Sequence, residues 1–70
     1  MSQFPSTKSK QVLAALISIG WHIKRQTESH KILERKGWTD FAFAFHDNEE
    51  IGSRMLSRIA KKTGLTPNDL

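Results

Sequence analysis

The sequence predicts an α+β domain in which two helices cover one face of a three-stranded antiparallel sheet. Three observations lead there. Apolar residues recur at helical spacing near both ends of the chain, at Val12, Leu13, Leu16 and Ile17 and again at Met55, Leu56, Ile59 and Ala60. Between them lie three stretches compatible with a period of two, the spacing of a strand. Those stretches are joined by turns of a few residues, too short for the crossover that a parallel pair requires.

Met1 to Thr7 is polar, contains Pro5 and shows no periodicity. It reads as a flexible arm, residues 1–7, ahead of a single domain over residues 8–70. Lys8 to Ile19 carries the first helical stripe, with Thr7 or Ser9 placed to cap its start and Gly20 where a left-handed residue would end it. Trp21 to Gln26 alternates as a strand, with Trp21, Ile23 and Arg25 on one side and His22, Lys24 and Gln26 on the other. Thr27, Glu28 and Ser29 form a polar turn, and His30 to Arg35 resumes as the second strand. After a turn at Lys36 and Gly37, Phe41-Ala42-Phe43-Ala44-Phe45 alternates large and small residues. Three aromatics on one side of a strand fit the core face of a sheet, which a small domain needs for apolar burial. Residues 46–50 are polar and read as a connecting loop. The second helix starts near Gly52 or Ser53, with Ser53 able to cap it, and closes at Thr63 and Gly64. Its other face carries Arg54, Arg58, Lys61 and Lys62, and cations in a last turn also complement the helix dipole. Thr66-Pro67-Asn68-Asp69 has the cap-then-proline pattern of one more helical turn. The resulting order, α-β-β-β-α, is that of the double-stranded RNA-binding fold.

Seventy residues hold one core, near the size at which a domain without staples becomes marginal. There is no cysteine, so disulfides and thiolate metal sites are excluded. No apolar run approaches the roughly 20 residues of a membrane span, and the first ten residues lack the apolar stretch of a signal peptide. The expectation is a soluble cytoplasmic protein. A net charge of +4 and a pI near 9.9 point toward RNA, DNA or an acidic protein surface as partner.

The chemistry-bearing stretch is Trp21 to Leu33, a basic hairpin whose second strand opens at Ser29-His30-Lys31. An imidazole, with an ordinary pKa of about 6.5, can take or give a proton near neutrality. RNA carries its own nucleophile, the 2′-hydroxyl, which DNA lacks. His30 beside Lys24, Arg25 and Lys31 therefore has the parts for RNA transphosphorylation: one proton-transfer group and cations to hold the phosphate. An isolated histidine at a strand start is more often an ordinary surface residue. His22 reads as exposed on the basic strand and His46 as a residue at a strand end. His30, His46 and Asp47 lie on separate elements with no metal-ligand spacing, and no phosphate-cradling glycine loop or nucleophile elbow is present.

The chain resembles the HicA family, the small mRNA-cleaving toxins of HicA–HicB toxin–antitoxin pairs. The matching pieces are Lys10-Gln11-Val12-Leu13 with Leu16, Gly20-Trp21, Arg25-Gln26 and Ser29-His30, followed by His46, Ile51-Gly52, Leu56, Ile59, Gly64-Leu65 and Thr66-Pro67-Asn68-Asp69. No piece is specific alone; their order along the chain is. The resemblance implies the double-stranded RNA-binding fold, mRNA cleavage without metal or cofactor, and one catalytic histidine in a Gly-Ser-His segment, here His30. It also implies a HicB-like antitoxin that covers the histidine, and beside it the residue reading sets an RNA-binding group of Lys24, Arg25, Ser29 and Lys31. Two departures stand out. Glu28 occupies the usual glycine position, where a carboxylate can repel phosphate, pair with Lys31 or polarise His30. Phe45-His46-Asp47 stands where the family often has Pro-His-Pro. The rival readings are a domain of the same fold that binds RNA without cutting it, and a protein-binding domain for an acidic partner.

Overall fold

Phe41, Phe43 and Phe45 project from the same side of one strand, and that side becomes the floor on which both helices pack. A computed structural model describes residues 4–46 and 49–70. Its elements are β1 (Thr7–Lys8), α1 (Ser9–Ser18), β2 (His22–Gln26), β3 (His30–Glu34), β4 (Phe41–Ala44), β5 (Glu50–Ile51), α2 (Ser53–Thr63) and a closing 3-10 turn (Pro67–Asp69). The main sheet has the order β2-β3-β4, antiparallel throughout. The architecture is the double-stranded RNA-binding-domain-like α+β fold that the periodicities predict.

The core gathers Val12, Ala15 and Leu16 from α1, Leu56 and Ile59 from α2, Leu33 and Phe43 from the sheet, and Trp21, Ile51 and Leu65. Burying side chains of this size contributes about 1.5–3 kcal/mol each. Trp21 is the largest fully buried group, and its indole N–H donates to the Thr63 carbonyl at 3.0 Å. The Thr63 hydroxyl in turn donates to the Ile59 carbonyl (2.7 Å) and accepts from the Leu65 backbone N–H (3.3 Å). The start of the hairpin is thus tied to the end of α2 through buried, satisfied polar groups. Trp38, which the periodicity reading left unassigned, stands edge-on to Trp21 with centroids 5.9 Å apart, and the Arg35 guanidinium lies 5.1 Å from its ring centre.

The chain ends differ from the sequence reading. Thr7, read as the end of a loose arm, is buried and pairs with Ile51, and Lys8, read as the first residue of the helix, pairs with Glu50 of the expected loop, so that β1 and β5 form a second, two-stranded sheet. Phe4 packs against the core. Neither helix is capped by the expected hydroxyl. Ser9 sends both its backbone N–H (2.9 Å) and its hydroxyl (3.2 Å) to the Glu49 carbonyl, while the Thr7 hydroxyl donates to the Pro5 carbonyl. Gly52 is the N-cap of α2, leaving Ser53 as its first helical residue. The final turn does form as read, with the Asp69 carboxylate accepting from the Thr66 backbone N–H at 2.8 Å.

Gly20 follows α1 with φ +113°, as expected of its position. Gly64 is the more constrained glycine. Its φ is +78°, and a Cβ there would meet Trp38 Cη2 at 2.9 Å, against an aromatic wedged between Arg35 and Trp21. Gly64→Ala is expected to cost about 1–3 kcal/mol, from the left-handed backbone penalty plus the clash. Urea unfolding checks this as a lower midpoint at unchanged slope.

Candidate functional site

Strand pairing decides which side chains share a face. Leu33 and Phe43 are buried, so their side of the sheet faces the helices. Residues directly opposed across the ladder share a face. Lys31 opposes Phe43 and Leu33 opposes Phe41, which puts all four on the inner side. His30 opposes Ala44 and Ile32 opposes Ala42, which puts these on the outer, solvent side. His30 is exposed there as the first residue of β3. Across from it the outer face is low, because Ala42 and Ala44 carry only methyl groups.

β2 departs from simple alternation. Ile23 opposes Leu33 and Arg25 opposes Ile32, so Lys24 is an extra residue, a β-bulge. The bulge turns Arg25 to the outer face, together with Ile32 and His30, rather than to the Trp21 side where strict alternation would leave it. His22 opposes Glu34 on that same face, and its Nε2 lies 3.2 Å from the carboxylate. Lys24 makes a 2.9 Å ion pair with Asp40. The hydrogen bond from Lys24 to Asp40 raises its pKa above the ordinary 10.5, and the nearby Glu34 carboxylate adds to the rise while Arg25 opposes it. Lys24, Arg25, Glu34 and Asp40 are therefore near neighbours. No glycine or proline marks the bulge in the sequence; only its register with Ile32 and Leu33 reveals it.

The residues expected to surround His30 are divided between two faces. Arg25 shares the outer face with His30, and Lys24 stands beside Arg25. Lys31 is on the inner side at the turn end of the hairpin, where its ammonium donates to Gln26 Oε1 (2.9 Å) and lies 4.7 Å from the centre of the Phe45 ring. Ser29 is half-buried, and its carbonyl accepts the Phe45 N–H at 2.9 Å, which ties the turn to the end of β4. The turn itself closes with the Thr27 N–H donating to the His30 carbonyl at 2.8 Å. Glu28 is exposed at its tip and, among the described residues, pairs with neither Lys31 nor His30. His46 follows β4 and is exposed at the mouth of a groove between β4 and α2. Asp47 lies outside the described residues. Among those described, no three histidine or carboxylate side chains converge as a metal site. Among the described residues no helix is long and apolar enough to cross a membrane.

The family model described as the HicA toxin of bacterial toxin–antitoxin systems matches residues 9–65. The chain belongs to the HicA toxin family. No curated protein and no solved structure matches it. Membership in the HicA family makes the chain the toxin component of a toxin–antitoxin system, with an antitoxin as partner. The match begins at the first residue of α1 and ends just past α2, so it includes the whole basic hairpin and His30.

The Lys24–Asp40 pair gives a check on the outer-face geometry. A lysine pKa raised in the folded state adds stability that is fully present below 10.5 and is lost as pH rises through the folded value. Asp40→Asn is expected to bring the Lys24 titration back down toward 10.5 and to remove, near neutral pH, the small stabilisation that the exposed pair contributes. Lysine side-chain NMR across the alkaline range measures the first, and urea midpoints at neutral and alkaline pH measure the second.

Proposed function

We propose that this HicA-family toxin is a metal-independent endoribonuclease that cuts mRNA with His30, and that its antitoxin is a HicB-like protein covering that histidine. The observation that carries the reading is the exposed imidazole of His30 on the outer sheet face, which Arg25 shares, above the low floor of Ala42 and Ala44. The floor leaves room for a ribose–phosphate unit where bulkier side chains would not.

The chemistry follows from the substrate. The 2′-oxygen attacks the adjacent phosphorus and loses its proton, the bond to the 5′-oxygen breaks, and that oxygen gains a proton. The products are a 2′,3′-cyclic phosphate and a 5′-hydroxyl. His30 supplies one of the two proton transfers and solvent the other. Arg25 and Lys24 neutralise the phosphate as its charge builds up. Ser29 contributes through the turn that presents His30, and Lys31 meets the backbone further round the hairpin end. Because Asp40 already holds Lys24, Arg25 is the stronger phosphate ligand of the two.

Glu28 favours a second reading. Its free carboxylate at the turn tip, one residue from Ser29, repels an approaching phosphate, which suits a domain that grips RNA without cutting it.

His30→Ala is expected to lower the cleavage rate of a single-stranded RNA by about 10²–10⁴-fold. Its urea midpoint should stay close to that of the parent, since the residue is exposed. Equal cleavage by the two proteins rules out His30 as the catalytic group; equal inertness with RNA binding retained favours the second reading. Arg25→Ala should weaken RNA binding across sequences and reduce the slope of log affinity against log salt by about 1.

A further inference from the structure

The two edges of the main sheet are built differently. β2 presents a bulge and the charged Lys24 and Arg25, devices that discourage another strand from pairing. β4 has no charge, no proline and no bulge along Phe41–Ala44. The Phe45 N–H donates to the Ser29 carbonyl, so the 29/45 pair is hydrogen-bonded. In an antiparallel ladder bonded pairs recur every second residue. Phe41 and Phe43 therefore spend their backbone groups on β3, while Ala42 and Ala44 direct N–H and C=O outward. A groove runs beside this edge, walled on the other side by α2. Met55, which is 52% exposed, and Ile59 give the groove an apolar lining, and Arg58 and Lys62 line it as exposed cations. A second groove continues it past Phe41, Ala42, Lys61 and Lys62 to Trp38. Glu49 and Glu50 lie at the β5 end. α2 contains no acidic residue, and none of Arg54, Arg58, Lys61 and Lys62 is in an ion pair among the described residues.

We propose that the β4 edge is the docking site for an extended, acidic strand of the antitoxin, which joins the sheet at Ala42 and Ala44. This rests on the toxin–antitoxin reading of the chain and identifies where the partner attaches. Unused donors and acceptors alternating along an edge match the backbone of a strand. The cations on α2 match carboxylates on the strand's groove-facing side, and Met55 with Ile59 match an apolar residue between them. A nucleic acid strand would use the cations but neither the backbone acceptors nor the apolar lining. The added strand would also lie two ladder spacings, about 9.5 Å, from β3. Its outward side chains would face His30 across the methyl groups of Ala42 and Ala44. The small half of the Phe–Ala alternation would thus let one added strand both anchor the partner and roof the histidine.

The test follows backbone amides by NMR and hydrogen exchange, using the whole chain and a capped octapeptide whose one face carries glutamate, valine and glutamate, with threonines at the alternate positions. The expected result is slowed exchange at Ala42 and Ala44. The same peptide with lysines for the glutamates should give no slowing, and the Arg58→Glu, Lys62→Glu double variant should reverse the preference. Ala44→Pro removes one outward N–H without touching the β3 ladder. It should weaken peptide binding about tenfold while Phe43 keeps its protection, which shows that the strand has survived. Three results overturn the proposal: neither peptide slows the two amides, a single-stranded RNA slows them when the acidic peptide does not, or protection grows with protein concentration alone, as a second copy would cause. RNA cleavage is not part of the readout. A chain that cuts RNA through His30 but leaves the edge unprotected sinks this inference alone; a chain that cuts nothing but binds the acidic peptide sinks the nuclease reading alone.

Discussion

The buried hydrogen bond from the Trp21 indole to the Thr63 carbonyl is the constraint on which the other contacts depend. An indole N–H taken from water without a partner is costly, and the last carbonyls of a helix need a donor from outside it. One 3.0 Å contact meets both needs and fixes where α2 ends relative to where β2 begins. Thr63 is itself held by Ile59 and Leu65, so the carbonyl cannot drift. Gly64 then takes the left-handed turn that admits the Trp38 ring. With that end locked, the hairpin extends away from the helices. Its far end, carrying Glu28, Ser29 and His30, is left facing solvent.

From that geometry follows a division of labour between the faces. The inner face carries burial, and even Lys31 is drawn into it by Phe45 and Gln26. The outer face carries charge and the proposed chemistry. The bulge at Lys24 makes this division richer than alternation allows, because it delivers two consecutive cations toward the side on which His30 sits. Glu34 and Asp40 hold His22 and Lys24 on that side, and Arg25 has no such partner among the described residues. The proposed phosphate contacts are in that sense already ranked by what each cation is doing in the absence of RNA.

Much of this was legible in the residues. The two helical stripes, the three strands and the glycines that end the helices followed from periods of 3.6 and 2 and from the conformational range of glycine. The order of motifs carried the family, and position within it singled out His30. What the chain did not disclose depends on contacts between distant segments. Thr7 and Glu50 read as arm and loop because a two-residue strand has no periodicity, and β1 and β5 exist only through the pairing of Thr7 with Ile51 and Lys8 with Glu50. Ser9 looks like a cap until Glu49, forty residues on, supplies a better acceptor for its hydroxyl. The bulge shifts Arg25 by half a period without any residue type to announce it. Trp38 has no alternation around it and gains its place only from Trp21, Arg35 and Gly64.

The tryptophan pair has a spectroscopic consequence. The chain has no tyrosine, and its two tryptophans touch each other at one spot. At wavelengths beyond the phenylalanine bands, near-ultraviolet absorbance, intrinsic fluorescence and aromatic circular dichroism therefore all report on that single junction between hairpin and α2. Two indoles at 5.9 Å and 65° can couple their transitions into a paired dichroic band that disappears when the junction opens. Events at the His30 end of the hairpin would pass unseen by these signals. An optical melting curve of this protein is thus a record of one latch rather than of the molecule as a whole.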